Sequence, residues 1–366
     1  MQVVHVAPTP FGSAGIFGGG ERFPLELARE LARHVDCELI TFGQAPRAWT
    51  DSSGLRFRIL RSVTRVGGHP AHPLALGLGR ALAEADVVHT HHLNSAPSRL
   101  AALHAYVRGI PRVVTDHGLG GGSWGGVLPR LFDRFLTVSA YSARQLGAPP
   151  ARTRVVYGGA DPVRFSPDPD LRRRGVLFVG RLTPHKGADR LIEALPEDAE
   201  LRVVGSGGHD RRSPEREYPN LLRRLAARRS VKFLGAVTDQ ELPALYRGAQ
   251  VLAVPSVHAT CYGRLIAVSE LLGLAAIEAM ASGTPVVASR LGGLPEVVDD
   301  GVTGFLVEPG NVADLQGRLA EVLGDRVLAA RLGRNARERA VEMFTWEACA
   351  KRCLAAYSDL VDTEAR

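Results

Sequence analysis

The chain has 366 residues, of which 45% are hydrophobic and 23% are charged, and its formal net charge is +7. This length leaves room for two domains with separate cores, and no apolar run reaches the roughly 18–20 residues that a membrane-spanning helix needs. The composition therefore argues against an integral membrane protein. The four cysteines show no CxxC spacing and predict neither a disulfide framework nor a zinc site.

The N-terminal segment MQVVHVAPTP has no basic stretch ahead of a long apolar run. It predicts a first core strand and not a secretory signal, and we expect a cytoplasmic protein. The positive charge is compatible with nucleic acid, an anionic membrane surface or a phosphorylated small molecule as partner. Total charge alone does not distinguish these partners.

Short runs rich in Val, Ile, Leu and Phe alternate with helix-like stretches, a pattern typical of βαβ units around buried parallel sheets. We predict a first set of strands at residues 2–7, 37–42, 56–60, 86–91, 112–117, 135–139 and 154–157. A second set is predicted at residues 175–180, 201–205, 231–235, 251–256, 284–289 and 304–307. The pattern therefore predicts an α/β protein with two domains.

A proline-rich stretch at residues 158–174 separates the two sets and predicts a linker, because proline disfavours both helix interiors and central strands. We divide the chain there into residues 1–168 and residues 169–345. The last segment, residues 346–366, begins as an amphipathic helix without a partner strand. We expect it to pack back on the first domain.

The segment ELLGLAAIE holds two glutamates eight residues apart, Glu270 and Glu278. Gly273 and Leu274 between them predict a turn into a helix, whose exposed first amides would form an anion site. The alternative is structural, because glutamate in a first helical turn also offsets the helix dipole.

The segment VGRLTPHKG places Arg181 and Lys186 in one predicted strand-to-helix loop. Two cations in such a loop suit a diphosphate leaving group, on which negative charge grows as its bond to carbon breaks. The alternative is a pair of solvated side chains on a surface loop.

These two segments occur with further motifs in one order along the chain. The motifs are Gly18-Gly19, DVVHTH from Asp86, TDHG from Thr115, TVS from Thr137, GRLTPHKG, G-x-G at 205–207, VKFLG at 231–235, PS at 255–256, E-x(7)-E and AMASGTPVVA. In this order they resemble the retaining family 4 glycosyltransferases of the GT-B fold, over nearly the whole chain.

The resemblance implies two Rossmann-like, doubly wound domains that face a deep cleft, the first binding the acceptor and the second a nucleotide-diphosphate sugar. Arg181 and Lys186 would hold the donor diphosphate. Glu278 would bind the ribose hydroxyls, a task suited to its two acceptor oxygens. Glu270, with the backbone amides of Gly273 and Leu274, would hold the hydroxyls of the donor sugar.

The resemblance also implies that Val237 meets the base through its backbone and that Gly205 belongs to the donor site. In the first domain, Gly18 and Gly19 would let the backbone approach the phosphates, because a side chain at Gly19 would intrude. His117, at the C-terminal end of a predicted strand, would contact the transferred sugar.

By the same resemblance the reaction is a retaining hexosyl transfer with no protein nucleophile, no cofactor and no metal, since the two cations neutralise the diphosphate. We expect a UDP-sugar as donor and a small soluble acceptor, such as a natural product or a sugar. One alternative is a glycosyltransferase that acts on a membrane lipid or polysaccharide intermediate. A nucleotide-sugar 2-epimerase is a second alternative and ranks below the first. Membrane contact is not favoured, because the first domain shows no long basic amphipathic helix.

Residues 257–269 depart from the family, in which only a few residues usually separate the PS motif from the first glutamate. We expect this insertion to influence the choice of donor or acceptor.

Three other functions fit the sequence less well. His89, His91 and His92 could suggest a metal site, but no carboxylate or cysteine completes a ligand set. A dehydrogenase needs G-x-G-x-x-G directly after its first strand, where this chain has PTPFGSAGIFGGG. A nucleic-acid-binding protein would cluster its arginines with aromatic residues, whereas aromatic residues make up 6% of this chain and the arginines are scattered.

Overall fold

The computed structural model describes residues 1–8, 18–118, 128–207 and 214–364. The chain forms two compact units. The first consists of Met1–Gly158 and Trp346–Arg366, and the second of Gly159–Thr345. In the described ranges no helix has both the length and the apolar composition that crossing a bilayer would need.

The first unit is built on a nine-stranded sheet. Its strands are β1 (Gln2–Val6), β2 (Asp36–Gly43), β3 (Arg47–Thr50), β4 (Arg56–Arg65), β5 (Pro73–Ala75), β6 (Val87–His91), β7 (Arg112–Thr115), β8 (Arg134–Thr137) and β9 (Thr153–Val155). They lie in the order β3-β4-β2-β1-β6-β7-β8-β9, with β5 paired to β4. Strands β3 and β5 pair antiparallel with β4, whereas β4 itself runs parallel to β2, as do β1, β6, β7, β8 and β9.

Helices connect these strands and cover the sheet. They are α1 (Gly19–Leu31), α2 (Leu78–Ala81), α3 (Ala96–Val107) and α4 (Ala140–Leu146). Helix α1 buries Phe23, Leu27 and Leu31, which recur at the spacing of one helical face. Helix α4 begins where Ser139 and Ser142 form a reciprocal cap.

The second unit has a six-stranded, wholly parallel sheet. Its strands are β10 (Val176–Val179), β11 (Leu201–Val204), β12 (Val231–Gly235), β13 (Val251–Val254), β14 (Val286–Ser289) and β15 (Gly304–Val307), in the order β12-β11-β10-β13-β14-β15. Its helices are α5 (Ala188–Ala194), α6 (Tyr218–Ala226), α7 (Leu242–Arg247), α8 (Leu274–Ala281), α9 (Leu294–Val297), α10 (Val312–Gly324) and α11 (Arg326–Met343). Strands β13, β14 and β15 are buried at every residue, as expected for a parallel sheet covered on both faces.

The C-terminal helix α12 (Trp346–Glu364) belongs to the first unit. The ring of Trp346 lies 5.5 Å from that of Phe23 on α1, edge to face. The thiol of Cys349 donates to the backbone carbonyl of Tyr157 at 3.0 Å. These contacts join the helix to elements far earlier in the chain.

The boundary between the units differs from the predicted division near residue 168. The structure assigns residues from Gly159 onward to the second unit. Phe165 is buried against the ring of Tyr246 at 5.8 Å. The guanidinium of Arg337 also donates to the carbonyls of Pro162 and Phe165, at 2.9 and 2.6 Å. Much of the proline-rich stretch is therefore packed against the second unit and is not a free linker.

Candidate functional site

The loop after β10 carries the two predicted diphosphate cations. Arg181 is exposed, and Lys186 ends a short 3₁₀ turn, Pro184–Lys186, just before α5. Gly187 follows with φ of 70°, and a Cβ built on it would lie 1.9 Å from the carbonyl oxygen of Pro255. Glycine is therefore required here, because it alone lets the loop close onto the end of β13.

Lys186 and Glu270 form an ion pair. The ammonium nitrogen lies 2.6 Å from Oε2 of Glu270, and the two side chains are 18% and 14% exposed. The hydroxyl of Ser256 is 3.4 Å from the same oxygen. The structure thus brings together the residue predicted to hold the diphosphate and the residue predicted to hold the donor sugar.

Glu270 is held by backbone packing as well as by its ion pair. The amide of Gly293 donates to its carbonyl at 3.2 Å, and a Cβ on Gly292 would lie 1.9 Å from that same carbonyl oxygen. Three residues later Gly273, with φ of 99°, is the N-cap residue of α8, which begins at Leu274. In the described chain no side chain caps this helix. Its N-terminus lies where the sequence predicts an anion site.

Glu278 lies within α8 and is 4% exposed. The hydroxyl of Tyr246, a fully buried residue of α7, donates to Oε2 of Glu278 at 2.8 Å. Tyr246 is not among the residues predicted from the sequence, because nothing in its local pattern indicates that α7 packs beside α8. The carboxylate is therefore oriented by a second helix.

Gly205 and Val237 follow neighbouring strands, β11 and β12. Gly205 has φ of 136°, and a Cβ on it would lie 1.8 Å from the carbonyl oxygen of Gly180. Its role within this unit is therefore to let the loops after β10 and β11 approach closely. Val237 is half-buried shortly after β12.

The predicted insertion at residues 257–269 is an ordered loop that contacts the cation-bearing loop. The amide of Val257 donates to the carbonyl of His185 at 2.9 Å, and that of Ile266 to His258 at 2.8 Å. Burial, and after it the positive charges of Lys186, Arg181 and Arg264, lower the pKa of His185 to about 3. His185 is therefore uncharged at neutral pH.

In the first unit the predicted glycines lie beside the predicted histidine. Gly18 is the extended N-cap residue of α1, and Gly19 is the first residue of the helix. A Cβ on the next residue, Gly20, would lie 3.5 Å from Cβ of His117 and 3.5 Å from Cε1 of His92. The start of α1 therefore lies against the ends of β6 and β7.

His117 belongs to a histidine cluster that the sequence analysis only partly recognised. His5 on β1 pairs in register with His89 on β6, and His91 follows on the same face. Burial lowers the pKa of each member, to about 3 for His5 and to about 4 for His92. His5 was missed as a member because strand pairing, which places it beside His89, cannot be read from the N-terminal segment.

Ring nitrogens of His5, His89 and His91 lie within 4.8 Å of one another, close enough to raise the question of a metal ion. The nitrogens of His89 are hydrogen-bonded to Tyr357 at 2.7 Å and to Thr115 at 2.8 Å. His91 contacts His5 and His117 at 3.0 and 3.1 Å. Hydrogen bonding within the protein therefore accounts for this cluster.

His92 has a backbone φ of 68°, unusual for a residue other than glycine. Its side chain is 4% exposed, and neither ring nitrogen has a hydrogen-bond partner in the described structure. Such strain and unpaired buried polar atoms are typical of functional sites. His92 lies beside His117 and the start of α1 and is therefore a further candidate site residue.

Comparison with known proteins identifies the family of the chain. Residues 17–164 match Glycosyltransferase Family 4, and residues 161–339 match Glycosyl transferases group 1. A D-inositol 3-phosphate glycosyltransferase from Corynebacterium diphtheriae is 30% identical over 98% of this chain and 94% of its own length. The enzyme of that name from Corynebacterium aurimucosum is 38% identical over 59% of this chain, and the match spans 53% of that relative.

Two solved structures share the fold. A sucrose-phosphate synthase from Thermosynechococcus elongatus has a TM-score of 0.75 at 23% identity, covering 99% of both chains. HepE of Anabaena, in complex with UDP and glucose, has a TM-score of 0.76 at 21% identity, covering 98% of this chain and 99% of its own. The chain belongs to glycosyltransferase family 4 and has the GT-B fold, with two Rossmann-like α/β units.

Proposed function

We propose that this protein is a retaining, metal-independent glycosyltransferase that moves a hexose from a nucleotide-diphosphate sugar to a hydroxyl group of a small acceptor. The observation that carries the proposal is the pairing of Lys186 with Glu270 at 2.6 Å. It joins a cation of the loop after β10 to a carboxylate that precedes α8. A diphosphate and the sugar attached to it require these two chemistries side by side.

The cations of this loop act on the leaving group. As the bond between the anomeric carbon and the diphosphate oxygen breaks, Arg181 and Lys186 stabilise the charge that grows on the diphosphate. The acceptor oxygen bonds to the anomeric carbon on the same face, and its proton passes to the departing phosphate oxygen. No protein nucleophile takes part in this scheme.

The carboxylates position the donor. Glu270 accepts hydrogen bonds from the sugar hydroxyls, the backbone amides at the start of α8 donate to them, and Glu278 accepts from the ribose hydroxyls. Tyr246 orients Glu278 through the 2.8 Å hydrogen bond. The resemblance to family 4 assigns His117 to the transferred sugar and Gly19 to the phosphates.

Similarity supports the choice of substrates. HepE was solved with UDP and with UDP-glucose, which favours a UDP-sugar as donor. Several relatives are D-inositol 3-phosphate glycosyltransferases, and another is an MMP alpha-(1->4)-mannosyltransferase from Mycolicibacterium hassiacum, 34% identical over 63% of this chain and 55% of its own length. These names favour a small polyhydroxylated acceptor over a membrane lipid.

The experiment that tests the proposal begins with a thermal-shift screen against UDP-, GDP-, ADP- and TDP-sugars. A ligand present at 100 times its dissociation constant stabilises the fold by about 2.7 kcal/mol. The stabilising donor is then incubated with candidate acceptors, and the anomeric configuration of the product is read by NMR. We expect retention, and turnover reduced at least about 10²-fold in Arg181→Ala, an exposed position whose loss leaves the fold intact. The proposal would be overturned if no nucleotide sugar raised the melting temperature, or if the product had the inverted anomeric configuration.

A further inference from the structure

Three imidazoles form a hydrogen-bonded row in the first unit. Nδ1 of His5 lies 3.0 Å from Nε2 of His91, and Nδ1 of His91 lies 3.1 Å from Nε2 of His117. His5 and His91 are fully buried, and His117 is half-buried. Each link needs one N–H and one lone pair, so the protons in the row must all be arranged in one direction.

The row is uncharged at neutral pH. Burial lowers the pKa of His5 to about 3 and holds the pKa of His91 and of His117 well below the usual value. The titratable groups that face it are other buried groups, His89, His92 and Tyr357, while Asp116 is directed to backbone amides of Leu93 and Gly118. Each ring therefore has one donor nitrogen and one acceptor nitrogen.

The far end of the row decides its direction. Nε2 of His5 is buried and has no hydrogen-bond partner in the described structure. Among buried backbone groups, an N–H without a partner is rarer than an under-satisfied acceptor, and we apply the same preference to this ring. Nε2 of His5 is therefore the bare nitrogen, and its proton lies on Nδ1, which donates to His91. His91 in turn donates from Nδ1 to Nε2 of His117.

Packing holds the last ring of the row in place. The ring of Phe23 lies 4.9 Å from that of His117 and 5.5 Å from that of Trp346. Gly20 leaves room beside Cβ of His117. Orientation of the ring is thus set by aromatic contacts, whereas the position of its proton is set by the row.

We propose that His5 and His91 are positioning residues for His117: they keep its proton on Nδ1, so that His117 offers an N–H donor to a hydroxyl oxygen of the transferred sugar. The sugar contact rests on the proposed function. The position of the proton does not, and it is measured without substrate.

The test is NMR of protein labelled with ¹⁵N in its histidine rings, where protonated and bare nitrogens are distinguished directly. The His117 resonances are assigned by their loss in His117→Gln. We expect Nδ1–H in the wild type, and a mixture of tautomers in His5→Phe, although His5 does not contact His117. His5→Asn, whose amide can replace the Nδ1–H donor, should restore the wild-type state, and His34→Phe at an exposed position is the matched control.

A proton on Nε2 of His117 in the wild type would overturn the proposal, as would an unchanged tautomer in a folded His5→Phe variant. Addition of one equivalent of Zn²⁺ should leave the spectrum unchanged. If Zn²⁺ instead shifted the His5, His89 and His91 resonances together, these residues would form a metal site. The proposed hydrogen-bonded row would then be wrong.

Kinetics test the second half of the inference. In His5→Phe we expect kcat/KM for the donor to fall about five- to tenfold, the effect of one weakened hydrogen bond. His5→Asn and His34→Phe should keep the wild-type value. If His5→Phe changed the tautomer of His117 but left kcat/KM unchanged, the proposed contact between His117 and the sugar would be contradicted. Absence of transfer from any nucleotide sugar would count against the proposed function and leave the tautomer result standing.

Discussion

The ammonium nitrogen of Lys186 lies 2.6 Å from Oε2 of Glu270, and both side chains are less than one-fifth exposed. A charge-assisted contact of this length offsets part of the cost of removing two ions from water. Each residue is therefore held in place by the other before any donor arrives. The pairing links the diphosphate end of the proposed site to its sugar end.

Lys186→Ala tests both consequences of this pair. We expect turnover to fall at least about 10²-fold, because a cation facing the leaving group is lost. The free energy of unfolding should also fall by about 1–3 kcal/mol, because the carboxylate of Glu270 is left largely buried without its partner. Steady-state kinetics and urea unfolding measure the two effects.

The matched control is Lys232→Ala, which removes a lysine paired with Glu200 at 2.9 Å on the surface, where the two side chains are 63% and 38% exposed. We expect normal turnover and a change in stability within the roughly 0–1 kcal/mol of surface pairs. Equal losses in both variants would show that the Lys186 pair has no special role.

Tyr246→Phe should weaken nucleotide binding without removing a group that contacts the donor. The variant loses the hydroxyl that donates to Glu278, so the carboxylate is less well oriented, at a cost of about 1 kcal/mol or about fivefold in the dissociation constant. Isothermal titration with UDP measures this change. Tyr106→Phe, at a residue 58% exposed, is the control and should bind UDP normally.

Gly187→Ala should destabilise the second unit severely. Its new Cβ would meet the carbonyl of Pro255, whereas a Cβ on Gly310, which has φ of 81°, meets nothing within 4 Å. Gly310→Ala therefore measures strain alone, about 1–2 kcal/mol. In chemical denaturation we expect Gly187→Ala to lose clearly more unfolding free energy than Gly310→Ala. Similar losses in the two variants would contradict the close approach.

The buried histidines predict that stability declines in acid. Because burial lowers the pKa of His5 to about 3 and of His92 to about 4, the unfolded chain binds protons below about pH 6.5 that the folded chain does not. The free energy of unfolding should be retained above that pH and lost below it, by about 1.4 kcal/mol per pH unit for each such histidine.

Urea unfolding between about pH 5 and pH 7 measures this dependence. His5→Asn removes one of the responsible groups. The slope of its unfolding free energy against pH should therefore correspond to about one proton less than the slope of the wild type. The same slope in both proteins would mean that His5 titrates normally in the folded chain.

Activity should survive EDTA followed by dialysis. In the proposed mechanism Arg181 and Lys186 supply the positive charge that a divalent metal supplies to other leaving groups. The measurement is the initial rate before and after chelation. A loss that one divalent ion restores would show that the cations are insufficient and would contradict the proposed mechanism.

The strand pattern predicted most of the fold. Buried parallel strands are continuous apolar runs, so strands such as β1, β6 and β13 were visible in the sequence. Strands β3 and β5 were missed, because they are short, pair antiparallel with β4 and do not show an uninterrupted apolar run. The unit boundary was also misplaced, since prolines suggest a linker but do not reveal that Phe165 is buried.

The sequence by itself determined which residues could carry the chemistry and on which local elements they lie: Arg181 and Lys186 in a loop after a strand, and Glu270 and Glu278 around the start of a helix. Only the tertiary structure decided which side chains meet. Lys186 contacts Glu270 across 84 residues, Tyr246 reaches Glu278 from another helix, and His5 contacts His91 across 86 residues. The reason is that spacing along the chain determines the direction of a side chain within its own element. Contacts between elements depend on strand order and register, which are set by burial of the whole sheet.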